Sequence, residues 1–434
     1  MTKVLIVGGF APSLIGFRGP LLRAMRGAGH EVIACAAEND PAVAATLAAW
    51  SIAFTPLPLR RAGLNPFSDR AYLTALRELI GREQPAVIMA YTHKPVIYSA
   101  LAVTGGANPP RVYALITGLG FAFIAGGGLK QRLAGGVLRF LYRRAARHFS
   151  GVMFQNPDDR DFFREGRLVR PETPQVIVRG SGIDLGEFSY SPLDSDWEQR
   201  ASVSSGALAK EEGRKTEDVG QMADDVGQRT DSGGRFLLIA RLLGDKGIRE
   251  YASAAKEIRK TLPAAEFHLV GPFDPNPATI SKEELESWQR DGVIIYHGAQ
   301  DDVRPMLRAC TVYVLPSYRE GTPRTVLEAM ATGRPIITTD AAGCRETIFD
   351  AGPPDAQGVR QGRNGFLVPV KSADGLVAAM RSLLADRALA GRMGRDGRRL
   401  VEEHYDVHAV NRQIMEFMGL SAERTSVDGF GGVD

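Results

Sequence analysis

Short apolar runs recur along this chain at intervals that leave room for one helix between each pair. VLIVGG (4–9), EVIACAA (31–37), AVIMAYTH (86–93), RVYALITG (111–118), GVMFQN (151–156) and QVIVRGSG (175–182) form a first series. RFLLIAR (235–241), EFHLVG (266–271), VIIYHG (293–298), VYVLPS (312–317) and RPIITTD (334–340) form a second. Most of these runs are apolar at consecutive positions rather than at alternate ones. Both faces of each strand must therefore be covered, which is the pattern of a parallel sheet with helices on either side. Helices are expected over 17–30, 247–262 and 323–332. In a last one, over 407–418, Val407, Val410, Ile414 and Phe417 keep helical spacing. The expected fold class is α/β, with two similar doubly wound halves, each built on a parallel sheet, facing each other.

The length of 434 residues allows two or three domains at about 100–200 residues each. A first domain is expected over 1–183 and a second over 235–400. Residues 401–420 are expected to form a terminal helix, and 421–434 a polar, disordered tail. The linker between the domains, 184–234, contains a stretch from 189 rich in Ser, Gly, Asp, Glu and Lys, without periodicity, which reads as a disordered insertion. With 44% apolar and 24% charged residues, collagen-like, disulfide-scaffold and fully disordered chains are excluded. The three cysteines, Cys35, Cys310 and Cys344, match no metal-ligand spacing and suit a reduced, cytoplasmic protein. The apolar N-terminus is followed at once by Arg18, Arg23 and Arg26 with no small-residue cleavage site, so it does not read as a signal peptide. The uncharged stretch 112–129 contains five glycines from 118 onward and reads as a buried strand and a loop rather than a membrane span.

Charge is unevenly placed. Residues 1–183 carry 22 Lys and Arg against 11 Asp and Glu, whereas the rest carries 31 against 39. A basic front half points to an anionic partner such as a phosphate, a nucleic acid or an acidic membrane.

The richest chemistry lies in LPSYREGTPRTVLEAMATGRPIITTD (315–340). A strand ends in a loop, Thr322 is placed to cap a helix, and Pro323 suits its first position. The helix N-terminus near Arg324 and Thr325 can hold a phosphate on backbone N–H groups. Glu320 in the loop and Glu328 in the helix can face one crevice, because helical side chains lean towards the N-terminus. A carboxylate accepts two hydrogen bonds side by side, which matches a ribose diol or neighbouring sugar hydroxyls. In LLIARLLGDKGIRE, Arg241 ends a strand and Lys246 opens the next helix. Ligands bind at the carboxyl ends of strands in open α/β sheets. These two residues are either cations for a diphosphate or solvated surface charges.

IARLLGDKG paired with YREGTPRTVLEA resembles the retaining, GT-B-fold glycosyltransferases of family 4. SLIGFRGPLL (13–22), YTHKP (91–95) and TGLGFAF (117–123) resemble the bacterial branch that elongates sugars linked to undecaprenyl diphosphate. The likeness extends over about residues 3–188 and 235–418. It implies that Arg241 and Lys246 contact the donor diphosphate, that Glu328 holds the ribose and that Glu320 sits by the transferred sugar. GSGIDLGEF (180–188) resembles the interdomain motif, with Gly180 and Gly182 at a hinge, and the loop around Gly343 and Glu346 resembles another donor-side element. Many family members carry a histidine after the strand matching 112–116, where this chain has Thr117 and Gly118. His93 is a candidate substitute, the alternative being a structural histidine. Arg18 and Lys94 are candidates for the acceptor phosphates.

The resemblance implies transfer of a glycosyl group, with retention, from a nucleotide diphosphate sugar to a lipid-linked sugar acceptor. UDP-N-acetylhexosamine and UDP-hexose are the expected donors. No metal or other cofactor is expected, since fixed cations replace a divalent ion; Asp194-Ser195-Asp196 is a chance D-x-D pattern. No nucleic-acid partner is expected. In 130–148, Arg132, Arg139, Arg143 and Arg147 line one helical face beside Leu133, Val137, Phe140 and Leu141, an interfacial pattern suited to the anionic inner face of the cell membrane. A dehydrogenase is disfavoured, because Gly8-Gly9 does not open a G-x-G-x-x-G loop. A glycosidase using the two glutamates would not need the cations. A nucleotide-sugar epimerase and a non-catalytic nucleotide-sugar binding protein stay open.

Overall fold

The computed structural model describes residues 1–60, 65–103, 108–119, 129–193, 233–274, 276 and 278–420, except for the side chains of 129–132. Most of the polar insertion, with Asp194-Ser195-Asp196, and the tail 421–434 lie outside the described residues, as do residues 120–123 of TGLGFAF. The chain forms two compact units, 1–181 with 407–434, and 182–406.

The first unit is built on seven parallel strands: β1 (Lys3–Val7), β2 (Glu31–Ala36), β3 (Ala53–Pro56), β4 (Val87–Tyr91), β5 (Arg111–Ile116), β6 (Phe149–Phe154) and β7 (Gln175–Ile177). Their order is β3-β2-β1-β4-β5-β6-β7. The chain winds one way from β1 to β3 and the other way from β4, so the switch point lies between β1 and β4. Within β1, Leu5 and Val7 join one apolar layer, and Val4 and Ile6 the other. That is why its run is continuously apolar. Helix Val407–Phe417 belongs to this unit, where Val410 and Ile414 pack in the layer containing Leu21 and Met25. Phe417 meets Tyr113 edge-on at 5.8 Å, and Gly151 leaves the room that Phe417 needs.

The second unit contains β8 (Arg235–Ile239), β9 (Glu266–Val270), β10 (Ile295–Tyr296), β11 (Val312–Leu315), β12 (Ile336–Thr339), β13 (Arg360–Gln361) and β14 (Gly365–Val368). The order is β10-β9-β8-β11-β12-β14-β13, with the switch point between β8 and β11. All pairings are parallel except that of the two-residue edge strand β13 with β14. Gly365 approaches the Ile336 carbonyl so closely that a Cβ would stand 1.9 Å from its oxygen.

Two expectations change. The helix expected over 17–30 is shorter, Gly19–Gly27, and a separate short helix, Pro12–Gly16, precedes it. The insertion does not begin disordered, since Ser191 donates its N–H to the Thr332 carbonyl at 3.1 Å, and the Arg334 guanidinium bonds the Ser191 carbonyl. Gly180 and Gly182, expected at a hinge, have φ of 66° and 67°, a region that side chains with a Cβ avoid. Among the described residues, no helix is long and apolar enough to cross a membrane.

Candidate functional site

In the second unit, three loops meet beyond the carboxyl ends of β8, β11 and β12, around the switch point where open α/β sheets bind ligands. The first runs from Arg241 through the short turn Gly244–Lys246 to helix Ile248–Thr261. Gly247 makes the join at φ 72°, and a Cβ there would stand 2.1 Å from the Pro316 oxygen, so the second loop lies directly against the first. The Asp245 carbonyl accepts from the Tyr318 N–H at 2.8 Å and from the Ser317 hydroxyl at 3.3 Å. The Tyr318 hydroxyl donates to Glu250 at 2.7 Å. The third loop is pinned to the second: Glu320 N–H donates to the Ala342 carbonyl at 2.9 Å, and Gly343, at φ 81°, packs on the Glu320 and Gly321 carbonyls.

This framework brings Lys246 and Glu320 together, with Nζ 2.5 Å from Oε1 and both side chains largely buried. Burial opposes the Lys246 charge, but Glu320 and Asp245 outweigh it and its pKa is raised. Arg241 is paired as well, to Asp274 at 2.6 Å, on a side chain 57% exposed. Helix Arg324–Thr332 starts one residue later than expected, with Pro323 rather than Thr322 at the N-cap position. Glu328 is buried in this helix and accepts from Arg324 Nε at 2.9 Å. Burial pushes its carboxyl up to about 7, with Arg324 pulling the other way and Glu187 adding to the rise.

Glu320 and Glu328 both act electrostatically on the buried hydroxyl of Tyr313, which the Thr325 side chain hydrogen-bonds. Glu346 lies in the turn Arg345–Thr347, and its carbonyl accepts from Tyr405 at 2.9 Å. The expected donor residues are thus gathered in one unit. Missing from the sequence reading were Asp274, Tyr318 and Glu250. Nothing local marks Asp274 as the partner of a residue 33 positions earlier. Gly247 was a more accessible signal, a glycine directly after Lys246.

The first-unit candidates are more dispersed. Arg18 is buried, lies over the Tyr91 ring at 5.1 Å and donates to Ser181 at 3.2 Å. Ser13 shares a 2.8 Å hydrogen bond with the Tyr91 hydroxyl. Thr92, just after β4, holds a φ of 68°, unusual for a residue with a Cβ. His93 contacts the Tyr142 hydroxyl through Nδ1 at 2.7 Å, and burial lowers its pKa to about 4, against a contribution from the Leu119 backbone. It is neutral at physiological pH. Lys94 is committed within the unit, to Asp69 at 2.7 Å and the Arg60 carbonyl at 2.9 Å. Thr117 and Gly118 are half-buried just after β5, with Gly118 at φ 118°.

The basic helix, Leu129–Ala145, differs in part from its expected faces. Leu133 and Phe140 are 70% and 63% exposed, and Val137 is also exposed. Leu141 instead packs against the core. Arg139 covers the Phe162 ring, and Arg143 donates to the Gly166 carbonyl at 2.9 Å. Arg147 lies past the helix end in a short turn, exposed like Arg144, and the Arg132 side chain is outside the described residues.

Two family profiles match this chain. One, described as glycosyl transferase 4-like domain, spans residues 19–180; the other, glycosyl transferases group 1, spans residues 233–386. Solved structures agree on the fold. HepE of Anabaena in complex with UDP and glucose superposes with a TM-score of 0.70 over 96% of this chain and 100% of its own, at 16% identity. Sucrose-phosphate synthase of Thermosynechococcus elongatus gives 0.69 over 96% and 98%, also at 16% identity. The chain belongs to the family 4-like, group 1 glycosyltransferases and has the GT-B fold. Among its relatives is the N,N'-diacetylbacillosaminyl-diphospho-undecaprenol alpha-1,3-N-acetylgalactosaminyltransferase of Campylobacter jejuni. The two are 28% identical over 381 residues, 87% of this chain and 88% of the relative. The UDP-Gal:alpha-D-GlcNAc-diphosphoundecaprenol alpha-1,3-galactosyltransferase of Escherichia coli is 24% identical over 77% of this chain and 75% of its own.

Proposed function

We propose that this glycosyltransferase moves a sugar from a nucleotide diphosphate sugar to a sugar carried on a lipid diphosphate, in polysaccharide or glycan biosynthesis. The donor class is a UDP-N-acetylhexosamine or UDP-hexose. The observation that carries the donor half is the grouping of Arg241, Lys246, Glu320, Arg324 and Glu328 around one switch point. The acceptor half is supported by the Campylobacter and Escherichia coli relatives, both named for undecaprenyl-diphosphate-linked substrates.

In this reading Arg241 and Lys246 face the diphosphate, whose negative charge grows as the glycosyl bond breaks. The first-turn amides of helix Arg324–Thr332 add a partial positive charge. Glu328, when ionised, accepts from the two hydroxyls of the ribose. Fixed cations take the part of a divalent metal. The departing phosphate accepts the acceptor's proton on the same face, so the anomeric configuration is retained. Arg18, beside Tyr91 and Ser13, is the first-unit candidate for the acceptor's phosphates.

The enzyme is proposed to act at the cytoplasmic face of the membrane, held there by Leu133, Val137 and Phe140 together with Arg144 and Arg147. The test is incubation with radiolabelled UDP-sugars and a membrane extract. Label passing into the lipid fraction supports the reading. Epimerised nucleotide sugar without transfer, or binding without turnover, refutes it in favour of the two alternatives.

A further inference from the structure

The three cations of the donor site are each held by a carboxylate: Arg241 by Asp274, Lys246 by Glu320, and Arg324 by Glu328. The pairs differ in setting. Arg241 is more than half exposed, where an ion pair is weak and readily exchanged. Lys246 and Glu320 retain only 15% and 19% of their side-chain exposure, so their attraction is far less screened by water. An ammonium has three N–H donors, and a diphosphate reaching Lys246 competes with Glu320 for them.

The two partners are not equally mobile. Glu320 sits on a loop fastened on both sides, through its own N–H to Ala342 and through Tyr318 to Asp245 and Glu250. Gly343 leaves no slack beneath its carbonyl. Lys246 reaches it on a flexible four-carbon stem.

We propose that Lys246 is passed from Glu320 to the donor's diphosphate when the nucleotide sugar binds, and is recaptured by Glu320 when the nucleoside diphosphate leaves. Glu320 is then the storing partner of the lysine as well as a residue of the sugar site, an inference that rests on the donor reading above. The exchange lowers affinity for donor and product alike. It also hastens product release, because the vacated lysine has a carboxylate waiting.

The test is calorimetric titration of wild type and Glu320→Gln with UDP, or with GDP or ADP if wild type binds one of these more tightly. The variant is expected to bind the nucleoside diphosphate roughly three- to tenfold more tightly, equivalent to about 0.7–1.4 kcal/mol, and to release it more slowly. Uridine, which has no phosphate to compete, is expected to bind both proteins equally. Equal or weaker diphosphate binding by Glu320→Gln overturns the exchange and leaves the donor reading standing. Absence of any nucleoside diphosphate binding by wild type overturns both. A crystal structure of the wild type with UDP gives an answer that needs no variant. Lys246 Nζ is expected on a phosphate oxygen and out of hydrogen-bond range of Glu320, and a pair still closed in the complex overturns the proposal.

Discussion

Replacing Glu328 by glutamine is expected to stabilise the protein at neutral pH while weakening its hold on the donor. Its carboxyl has an ordinary value of 4.5 and is raised by burial to about 7 in the folded protein. Below pH 4.5 it is protonated in both folded and unfolded chains and costs nothing. As pH rises from there, the unfolded chain ionises first, so the folded state loses stability until the folded pKa is passed. Two and a half pKa units correspond to about 3 kcal/mol at 1.36 kcal/mol each. Glutamine does not titrate, so the variant's stability relative to wild type is expected to rise by up to about 3 kcal/mol between about pH 4.5 and pH 7. The pull of Arg324 is already contained in that raised value. Paired melting curves at matched pH isolate the effect, since all other titrations cancel. Donor binding changes in the opposite sense: wild-type affinity rises with pH as Glu328 ionises, whereas the glutamine variant is flat and weaker by about 1.5–3 kcal/mol, the scale of a hydrogen bond to a charged group. A difference in melting midpoint that does not vary with pH would refute the reasoning.

Gly343→Ala places a Cβ about 2.3 Å from the Glu320 carbonyl oxygen at positive φ, so the loop must shift. Turnover is expected to fall at least tenfold with a smaller change in UDP affinity, and wild-type kcat refutes the positioning role. Lys94→Met leaves the buried Asp69 without its cation and is expected to cost about 3–5 kcal/mol in the melt, while UDP affinity measured on folded protein stays unchanged. Selective loss of acceptor binding at unchanged stability contradicts that structural role. Phe140→Ser combined with Arg144→Glu and Arg147→Glu is expected to abolish sedimentation with anionic vesicles while transfer to a short water-soluble acceptor persists. Undiminished vesicle binding removes this helix from the membrane reading.

Much of the fold was legible because burial on both faces leaves a strong signature. The runs at β1, β4, β8 and β11 are apolar apart from Lys3 and Arg235 at the first positions of β1 and β8, and all four are central strands. The strands the sequence reading missed are short: β3 is a half-exposed edge of four residues, β13 has two residues, and β14 has four beside a glycine. Such lengths carry no period. The candidate donor residues were legible where a motif concentrates them, as at Lys246, Glu320 and Glu328. Their pairing was not, because the contact between Lys246 and Glu320 spans 74 positions and depends on how three loops pack. The same limit explains Lys94, a lysine at a strand end by sequence and an internal ion-pair partner in the fold. On the basic helix, periodicity assigned Leu141 to the exposed face, but the interior of the first unit claims it.

The central claim is sugar transfer with retention onto a lipid-diphosphate-linked sugar. The most direct measurement supplies the purified enzyme with an α-configured UDP-sugar and a synthetic polyprenyl-diphosphate-linked sugar, in excess chelator, and reads the new linkage by NMR. The account predicts an α-linked disaccharide on the lipid with stoichiometric release of UDP. A β-linked product, or activity lost to chelator and restored by magnesium, would contradict it.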